Sequence, residues 1–149
     1  GMAQGSTDTD RVLYETMVQP VMFAHSNPRR VAIVGGGNGQ IIGQLLKHKT
    51  VETIVMIEKD EMLVEVVRKY LNSSCDCRNV EGATPVCFDD PRVETLHVDA
   101  VDFFTSNFDE KGTIGNVEKF DVVFVGVLDP KNSDDPLYGK EFLDAVVNS

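Results

Sequence analysis

The features of this sequence that could do chemistry are one glycine-rich segment and two acidic residues, each placed directly after an apolar run. The glycine segment reads Gly35-Gly36-Gly37-Asn38-Gly39. Glycine lets a backbone turn tightly and lets a ligand approach without a Cβ in the way. Glu58 ends the second apolar run, 19 positions after Gly39, and Asp99 follows the third run. In doubly wound nucleotide-binding domains, a carboxylate after the second strand binds the ribose hydroxyls.

The glycine segment differs from the Gly-x-Gly-x-x-Gly pattern of dinucleotide-binding proteins, because residues 40–42 contain no third glycine. Such a loop suits an adenosine linked to methionine better than a pyrophosphate, since no phosphate has to be held at a helix N-terminus. Two simpler interpretations stay open: the glycines could serve a structural turn, and Glu58 could be an exposed acid paired with Lys59 or with water. We favour ligand contact because three strand ends would bring these groups to one crevice.

Apolar runs alternate with helical patterns along the chain, which predicts a parallel sheet whose strands are connected by helices. Strands are predicted at 31–34, 53–57, 93–98 and 120–127, the last being the most apolar. Helices are predicted at 13–25, 39–48, 62–71, from 101 onward and at 138–147. The helix at 62–71 carries its apolar residues at 62, 63, 66, 67 and 71. Right-handed crossovers favour the strand order 3-2-1-4.

The predicted fold class is α/β, a Rossmann-like doubly wound parallel sheet of the type found in S-adenosylmethionine-dependent methyltransferases. We expect the sheet to be truncated after its fourth strand and the helix that follows. Residues 1–10 are small and polar and are predicted to be a disordered lead-in to one incomplete nucleoside-binding domain at 11–149. Residues 72–91 are predicted to be irregular, and 110–116 a polar loop.

Composition and charge argue against several kinds of partner. The chain has 14 basic and 24 acidic residues, a formal charge of −10, and no basic stripe that could bind a nucleic acid backbone. This charge is compatible with a cationic small molecule, although most acidic proteins are simply soluble. No apolar run approaches the roughly 20 residues of a membrane-spanning helix, and the first residues lack the pattern of a secretion signal. We therefore expect a cytoplasmic protein without membrane contacts.

The cysteines lie close together in the irregular stretch. They are Cys75, Cys77 and Cys87. Their spacing is not that of a zinc site, because no second close pair follows and the three histidines are scattered. They also do not make a disulfide framework, and reduced thiols are the expectation for an intracellular protein.

Several motifs occur in the order, and with nearly the spacing, found in the polyamine aminopropyltransferases. Residues 27–39 read Asn-Pro-Arg-Arg-Val-Ala-Ile-Val-Gly-Gly-Gly-Asn-Gly, 57–60 read Ile-Glu-Lys-Asp, 89–94 read Asp-Asp-Pro-Arg-Val-Glu, 99–100 read Asp-Ala, 120–123 read Phe-Asp-Val-Val, 129–130 read Asp-Pro and 137–142 read Leu-Tyr-Gly-Lys-Glu-Phe. Over about residues 13–145 the chain resembles the spermidine, spermine and thermospermine synthases.

The resemblance implies a ligand and its contacts. The family's donor is decarboxylated S-adenosylmethionine, with S-adenosylmethionine and methylthioadenosine as related ligands, and its acceptor is a cationic amine such as putrescine or spermidine. Glu58 corresponds to the family's ribose-binding glutamate, and Asp99 with Ala100 to its adenine-binding pair. Asn38 replaces an acid that faces the aminopropyl end of the donor. No permanently bound cofactor and no metal are implied.

The resemblance is lost at the positions that contact the amine substrate in the family. After the fourth strand the family reads Asp-Ser-Ser-Asp-Pro or Asp-Leu-Ala-Asp-Pro, and the first Asp takes the proton from the attacking amine. That position is Gly126 here, so no catalytic residue is assigned. Loss of a general base should slow transfer by about 10² to 10⁴-fold. Asp129 corresponds to an outer contact of the amine substrate, and Tyr14 to the tyrosine of a Tyr-x-Glu motif that contacts the same substrate.

Three functions therefore remain open on the sequence. The chain could be an active aminopropyltransferase, an impaired relative that binds an adenosyl ligand or another subunit, or a small-molecule methyltransferase that uses S-adenosylmethionine. A sheet that ends at its fourth strand leaves that edge unpaired. We therefore expect a homo-oligomer, or another partner that covers this edge.

Overall fold

The computed structural model describes residues 7–108, 117–126 and 135–149. Four parallel strands form one sheet in the order β3-β2-β1-β4, which confirms the predicted fold class and strand order. The strands are β1 (Arg30–Gly35), β2 (Thr53–Ile57), β3 (Val93–Leu96) and β4 (Val122–Gly126). The helices are α1 (Thr7–Ala24), α2 (Gln40–Leu45), α3 (Glu61–Tyr70), α4 (Ala100–Asn107) and α5 (Lys140–Asn148). The predicted polar loop at 110–116 lies outside the described residues.

The two central strands are apolar throughout because both faces of the sheet are covered. Successive side chains of a strand point to opposite faces, and those of β1 and β2 enter two separate apolar clusters. Ile33 and Met56 belong to the cluster under α1, α2 and α3. Val34 and Ile57 belong to the cluster under α4 and α5. A sheet buried on both faces requires such continuous apolar runs.

The first helix begins earlier than the sequence predicts. The structure has α1 start at Thr7, so residues 7–10, expected to be a disordered lead-in, are helical. Val18 and Met22 in the later turns are buried against the domain. Tertiary packing of this kind stabilises a helix that local sequence alone would not reveal. No helix in the described parts of the chain is long and apolar enough to cross a membrane.

The buried face of α3 differs from the predicted one, and the fourth strand is less buried than its composition suggests. The buried side chains of α3 are Val64 and Val67, whereas Met62 and Val66 are exposed. The fourth strand, predicted to be the most apolar, has β1 as its one described neighbour in the sheet, and only Phe124 among its residues is buried. It is the edge strand that the predicted order 3-2-1-4 implies, although its composition is as apolar as that of a central strand.

The expectation of three reduced thiols is wrong. Cys77 and Cys87 form a disulfide, with a Sγ–Sγ distance of 2.06 Å, and Cys75 is a buried free thiol. The chain reverses between them through an isolated antiparallel bridge of Asp76 with Val86. This reversal, which spacing alone does not reveal, brings together two cysteines that are ten positions apart.

Candidate functional site

The glycine segment joins the carboxyl end of β1 to α2 through left-handed backbone. Gly36 and Gly39 have φ angles of +83° and +76°, a region that residues with a Cβ rarely adopt. The amide of Gly39 donates a hydrogen bond of 2.9 Å to the carbonyl of Gly36 and closes the turn. The loop therefore lies at the carboxyl ends of the strands, where the sequence predicts a ligand crevice.

The carboxylate of Glu58 faces this loop. Its Oε2 accepts a hydrogen bond of 3.2 Å from the amide of Gly37, and its Oε1 accepts one of 2.9 Å from the amide of Asp60. A Cβ placed on Gly37 would lie 3.0 Å from Glu58 Oε2, so glycine permits this close approach. One interpretation left open by the sequence was that Glu58 forms an ion pair with Lys59. This interpretation is wrong, because Lys59 forms its ion pair with Asp99.

Asp99 follows β3, the neighbour of β2, and its carboxylate has partners both in the first turn of α4 and at Lys59. Its Oδ1 accepts a hydrogen bond of 2.9 Å from the amide of Val101 and caps α4. Its Oδ2 lies 2.8 Å from Nζ of Lys59. The hydrogen bond from Lys59 lowers the pKa of Asp99 against the opposing effect of burial. Ala100 is the buried first residue of α4.

Asn38 contacts Tyr14, which joins two predicted site residues that are 24 positions apart. The Asn38 Nδ2 donates a hydrogen bond of 2.7 Å to the hydroxyl of Tyr14 on α1. The Asn38 Oδ1 accepts one of 3.2 Å from the amide of Gln40. The amide orientation is therefore defined at both ends, and both side chains are half-buried.

Gly126, the last residue of β4, lies beside the start of the glycine loop. It pairs with Gly35 in the parallel register, and a Cβ built on it would lie 4.0 Å from the amide nitrogen of Gly36. That Cβ would also lie 2.7 Å from Cδ1 of Ile41, which is fully buried. A side chain at this position would therefore require the end of the Ile41 side chain to shift. Asp129, the other predicted substrate contact, lies outside the described residues.

The cysteine segment packs directly behind the glycine loop, a contact that sequence patterns did not indicate. A Cβ on Gly39 would lie 2.9 Å from Cβ of Cys75 and 3.0 Å from the ring of Phe88. One turn further along α2, a Cβ on Gly43 would lie 3.5 Å from Sγ of Cys87. The disulfide and the free thiol therefore support the loop that forms the crevice.

We also searched the other described parts of the chain for metal sites and grooves. No group of three or more His, Cys, Asp or Glu residues within 7–108, 117–126 and 135–149 could hold a metal ion. An open groove of about 450 Å³ runs along α1, and its lining includes none of the predicted site residues. The groove is lined by Glu15, Thr16, Gln19, Pro20, Phe23 and Lys47.

Comparison with known proteins identifies the family of this chain. The family model described as spermine/spermidine synthase domain matches residues 11–149. A polyamine aminopropyltransferase of Thermococcus onnurineus is 42% identical over 129 residues, covering 87% of this chain and 39% of the relative. The spermine synthase SPE4 of Saccharomyces cerevisiae is 32% identical over 141 residues, covering 94% of this chain and 43% of the relative.

Solved structures give the same result. A spermidine synthase in complex with the transition-state analogue AdoDATO superposes with a TM-score of 0.74 at 29% identity, covering 93% of this chain and 41% of that one. The spermidine synthase of Thermotoga maritima superposes with a TM-score of 0.69 at 28% identity. The chain spans about two fifths of the length of these relatives. With a family model that matches nearly its whole length, the chain belongs to the spermine/spermidine synthase domain family.

Proposed function

We propose that this chain binds an adenosine nucleoside with a sulfur-linked 5′ substituent, and that it transfers aminopropyl groups poorly or not at all. Decarboxylated S-adenosylmethionine is the ligand that the family resemblance implies. The observation that carries the proposal is the Glu58 carboxylate, which faces the glycine loop at 3.2 Å from the amide of Gly37. A carboxylate at the end of the second strand is suited to accept hydrogen bonds from ribose hydroxyls.

Asp99 supports the adenine end of this nucleoside. It follows β3, next to β2 in the sheet, and the hydrogen bond from Lys59 lowers the pKa of its carboxyl further below neutral pH. An ionised carboxylate only accepts hydrogen bonds, and the amino group of adenine is a donor. Adenine and ribose are therefore assigned to the ends of adjacent strands, with Ala100 beside the base.

The loop favours a nucleoside over a pyrophosphate for an electrostatic reason. The amide of Gly37 donates to Glu58, whereas in phosphate-binding loops such amides donate to the ligand. A phosphate at this loop would also meet the negative charge of Glu58. Dinucleotides and nucleoside triphosphates are therefore poor ligands for this crevice.

Aminopropyl transfer is proposed to be impaired because the described residues beside Gly126 supply no base. An amine must lose its proton before it attacks the donor, and general-base catalysis contributes about 10² to 10⁴-fold to such steps. Gly126 has no side-chain acceptor, and a Cβ placed there would lie 2.7 Å from Cδ1 of Ile41. Asn38 is neutral and cannot serve as a base at ordinary pH.

Titration calorimetry with 5′-methylthioadenosine, ATP and NAD⁺ tests the proposal. We expect the nucleoside to bind and the two phosphate ligands to bind at least tenfold more weakly. Glu58→Gln should weaken nucleoside binding by roughly tenfold or more, because hydrogen bonds to a charged acceptor are lost. Glu61→Gln removes an exposed acid from the first turn of α3 and serves as the matched control. Equal binding of ATP and the nucleoside, or an unchanged affinity in Glu58→Gln, would overturn the proposal.

A further inference from the structure

We infer that His97 is a positioning residue whose imidazole holds the backbone of Glu58, so that the Glu58 carboxylate is presented to a ribose. The inference rests on the proposed function and adds to it a residue that acts through Glu58. It starts from the contact of 3.0 Å between Nδ1 of His97 and the backbone carbonyl of Glu58. A carbonyl oxygen only accepts hydrogen bonds, so Nδ1 carries the proton in this contact and donates it.

The imidazole takes the place of a backbone donor of the sheet. The last paired residues of β2 and β3 are Ile57 and Leu96, in parallel register. The amide of Glu58 continues this ladder and donates a hydrogen bond of 3.0 Å to the carbonyl of Leu96. In a strand that continued regularly, the amide of Val98 would donate to the carbonyl of Glu58. His97 supplies that donor from its side chain, so both backbone polar groups of Glu58 are held beyond the end of β2.

This use of a side chain is linked to the early end of β3. Val98 is 43% exposed, and the chain turns so that Asp99 caps α4. Asp99 in turn binds Lys59, the residue that follows Glu58. Two contacts therefore cross between the loops after β2 and β3, one from His97 to Glu58 and one from Lys59 to Asp99. Together they fix the spacing of the two carboxylates proposed to hold the nucleoside.

The direction of the Glu58 carboxylate depends on this hold. Its oxygens accept hydrogen bonds from the amides of Gly37 and Asp60, which belong to different loops. An ionised carboxylate has acceptor capacity beyond these two bonds, and the ribose hydroxyls would use it. Without the donor from His97, the carbonyl of Glu58 would turn toward water, and the peptide that joins it to Lys59 would rotate. The carboxylate would then lose its fixed direction.

The test replaces His97 with residues that place a donor at two different distances from the backbone. The amide nitrogen of asparagine is bonded to Cγ, as Nδ1 of histidine is, whereas that of glutamine lies one atom farther out. Calorimetry compares 5′-methylthioadenosine with its 2′,3′-dideoxy counterpart, which lacks both ribose hydroxyls. His97→Gln and His97→Leu should weaken binding of the first ligand by about threefold to tenfold, the effect of one lost neutral hydrogen bond.

The same variants should leave the affinity for the dideoxy ligand almost unchanged, because that ligand makes no use of Glu58. His97→Asn should keep the wild-type affinity for both ligands, since it keeps the donor in place. His25→Leu is the matched control, because it replaces an exposed histidine between α1 and β1, and it should change neither affinity. Circular dichroism checks that each variant is folded. If His97→Leu unfolds, the comparison of His97→Asn with His97→Gln is decisive.

Three results would overturn the inference and leave the proposed function standing. The first is an unchanged affinity for methylthioadenosine in His97→Gln and His97→Leu while Glu58→Gln still weakens it. The second is an equal loss for both ligands, which a merely structural role of His97 would produce. The third is an equal loss in His97→Asn and His97→Gln, which would mean that the donor at Nδ1 is not what matters. If the wild-type protein does not bind methylthioadenosine, the proposed function fails and the inference with it.

Discussion

Nζ of Lys59 lies 2.8 Å from Oδ2 of Asp99, and this ion pair connects the loops that follow β2 and β3. Lys59 directly follows Glu58, so the pair also relates the two acids proposed to hold the nucleoside. The other oxygen of Asp99 accepts from the amide of Val101 and caps α4. One carboxylate thus caps α4 and binds the lysine in the loop after β2, and this lysine lowers its pKa.

Replacing Lys59 with methionine should raise the pKa of Asp99 and lower the free energy of unfolding at neutral pH. The pKa of Asp99 in the folded protein is below its ordinary value of 3.8. Its ionisation therefore stabilises the fold above that value, and this contribution is lost as pH falls through the folded pKa. The pKa of Lys59 is raised, so its contribution is lost as pH rises through that higher value.

Urea unfolding of wild type and Lys59→Met measures this difference across pH. The gap between the two proteins should be largest near neutral pH and close as Asp99 becomes protonated. Lys119→Met removes an exposed lysine elsewhere and should show no such pH dependence. A gap of constant size down to strongly acidic pH would mean that the Lys59 stem, not its charge, stabilises the fold.

Introducing an acid at Gly126 should restore transfer only if space is made for it. Gly126→Asp alone places Cβ 2.7 Å from Cδ1 of Ile41, and Ile41→Val removes that methyl group. The double variant should transfer aminopropyl groups to putrescine faster than either single variant, by up to about 10²-fold. Product formation by mass spectrometry measures this. A wild-type turnover of roughly 1 s⁻¹ or more would show that another residue acts as the base.

Gly39→Ala should destabilise the protein more than Gly82→Ala, although both glycines have nearly the same backbone conformation. Their φ angles are +76° and +82°, and an alanine there costs about 1 kcal/mol or more. At Gly39 the new Cβ also meets Cys75 and Phe88, whereas at Gly82 nothing lies within 4 Å. Overpacking should add at least about 1 kcal/mol. Thermal unfolding would contradict this if the two variants lost equal stability.

Loss of the Cys77–Cys87 disulfide should lower both the stability of the protein and its affinity for a nucleoside. Cys77 and Cys87 form it next to Gly43, and its loss typically costs about 2–4 kcal/mol. The paired change Cys77→Ser and Cys87→Ser should lower both the unfolding temperature and the affinity for methylthioadenosine. Cys75→Ala is the control that keeps the bond.

Thiol counting checks the same feature directly. Burial raises the pKa of Cys75, so its thiol should resist Ellman's reagent in the folded protein. Denaturation without reductant should reveal one thiol, and denaturation after reduction all three cysteines of the chain. Three thiols in unreduced protein would show that Cys77 and Cys87 are not bonded.

The edge of the sheet at β4 should mediate association with another chain. Its outer side has no neighbouring strand within the described residues, and Val125 is 38% exposed. Exposed apolar edge strands favour pairing. Light scattering should give a mass above that of the monomer, and Val125→Lys should reduce it. Val147→Lys changes an exposed valine on α5 and should not. A wild-type monomer at high concentration would contradict the prediction.

The sequence by itself determined the elements that local patterns encode. Continuous apolar runs defined the two central strands, because a strand covered on both faces has no polar side. The positions of Glu58 and Asp99 could be predicted from these strands. The carboxyl ends of parallel strands lie on the same side of the sheet, and the residues just after them meet there. The strand order followed from the handedness of the crossovers.

Tertiary structure alone decided the contacts between distant residues. The bond of Cys77 with Cys87 depends on a chain reversal, and that of Tyr14 with Asn38 on how α1 docks against the glycine loop. The predicted order already placed β4 at the edge of the sheet, but its low burial depends on which neighbours cover it rather than on its apolar composition. Local patterns report secondary structure and exposure on average, whereas a pairing across 24 positions exists only once the chain has packed.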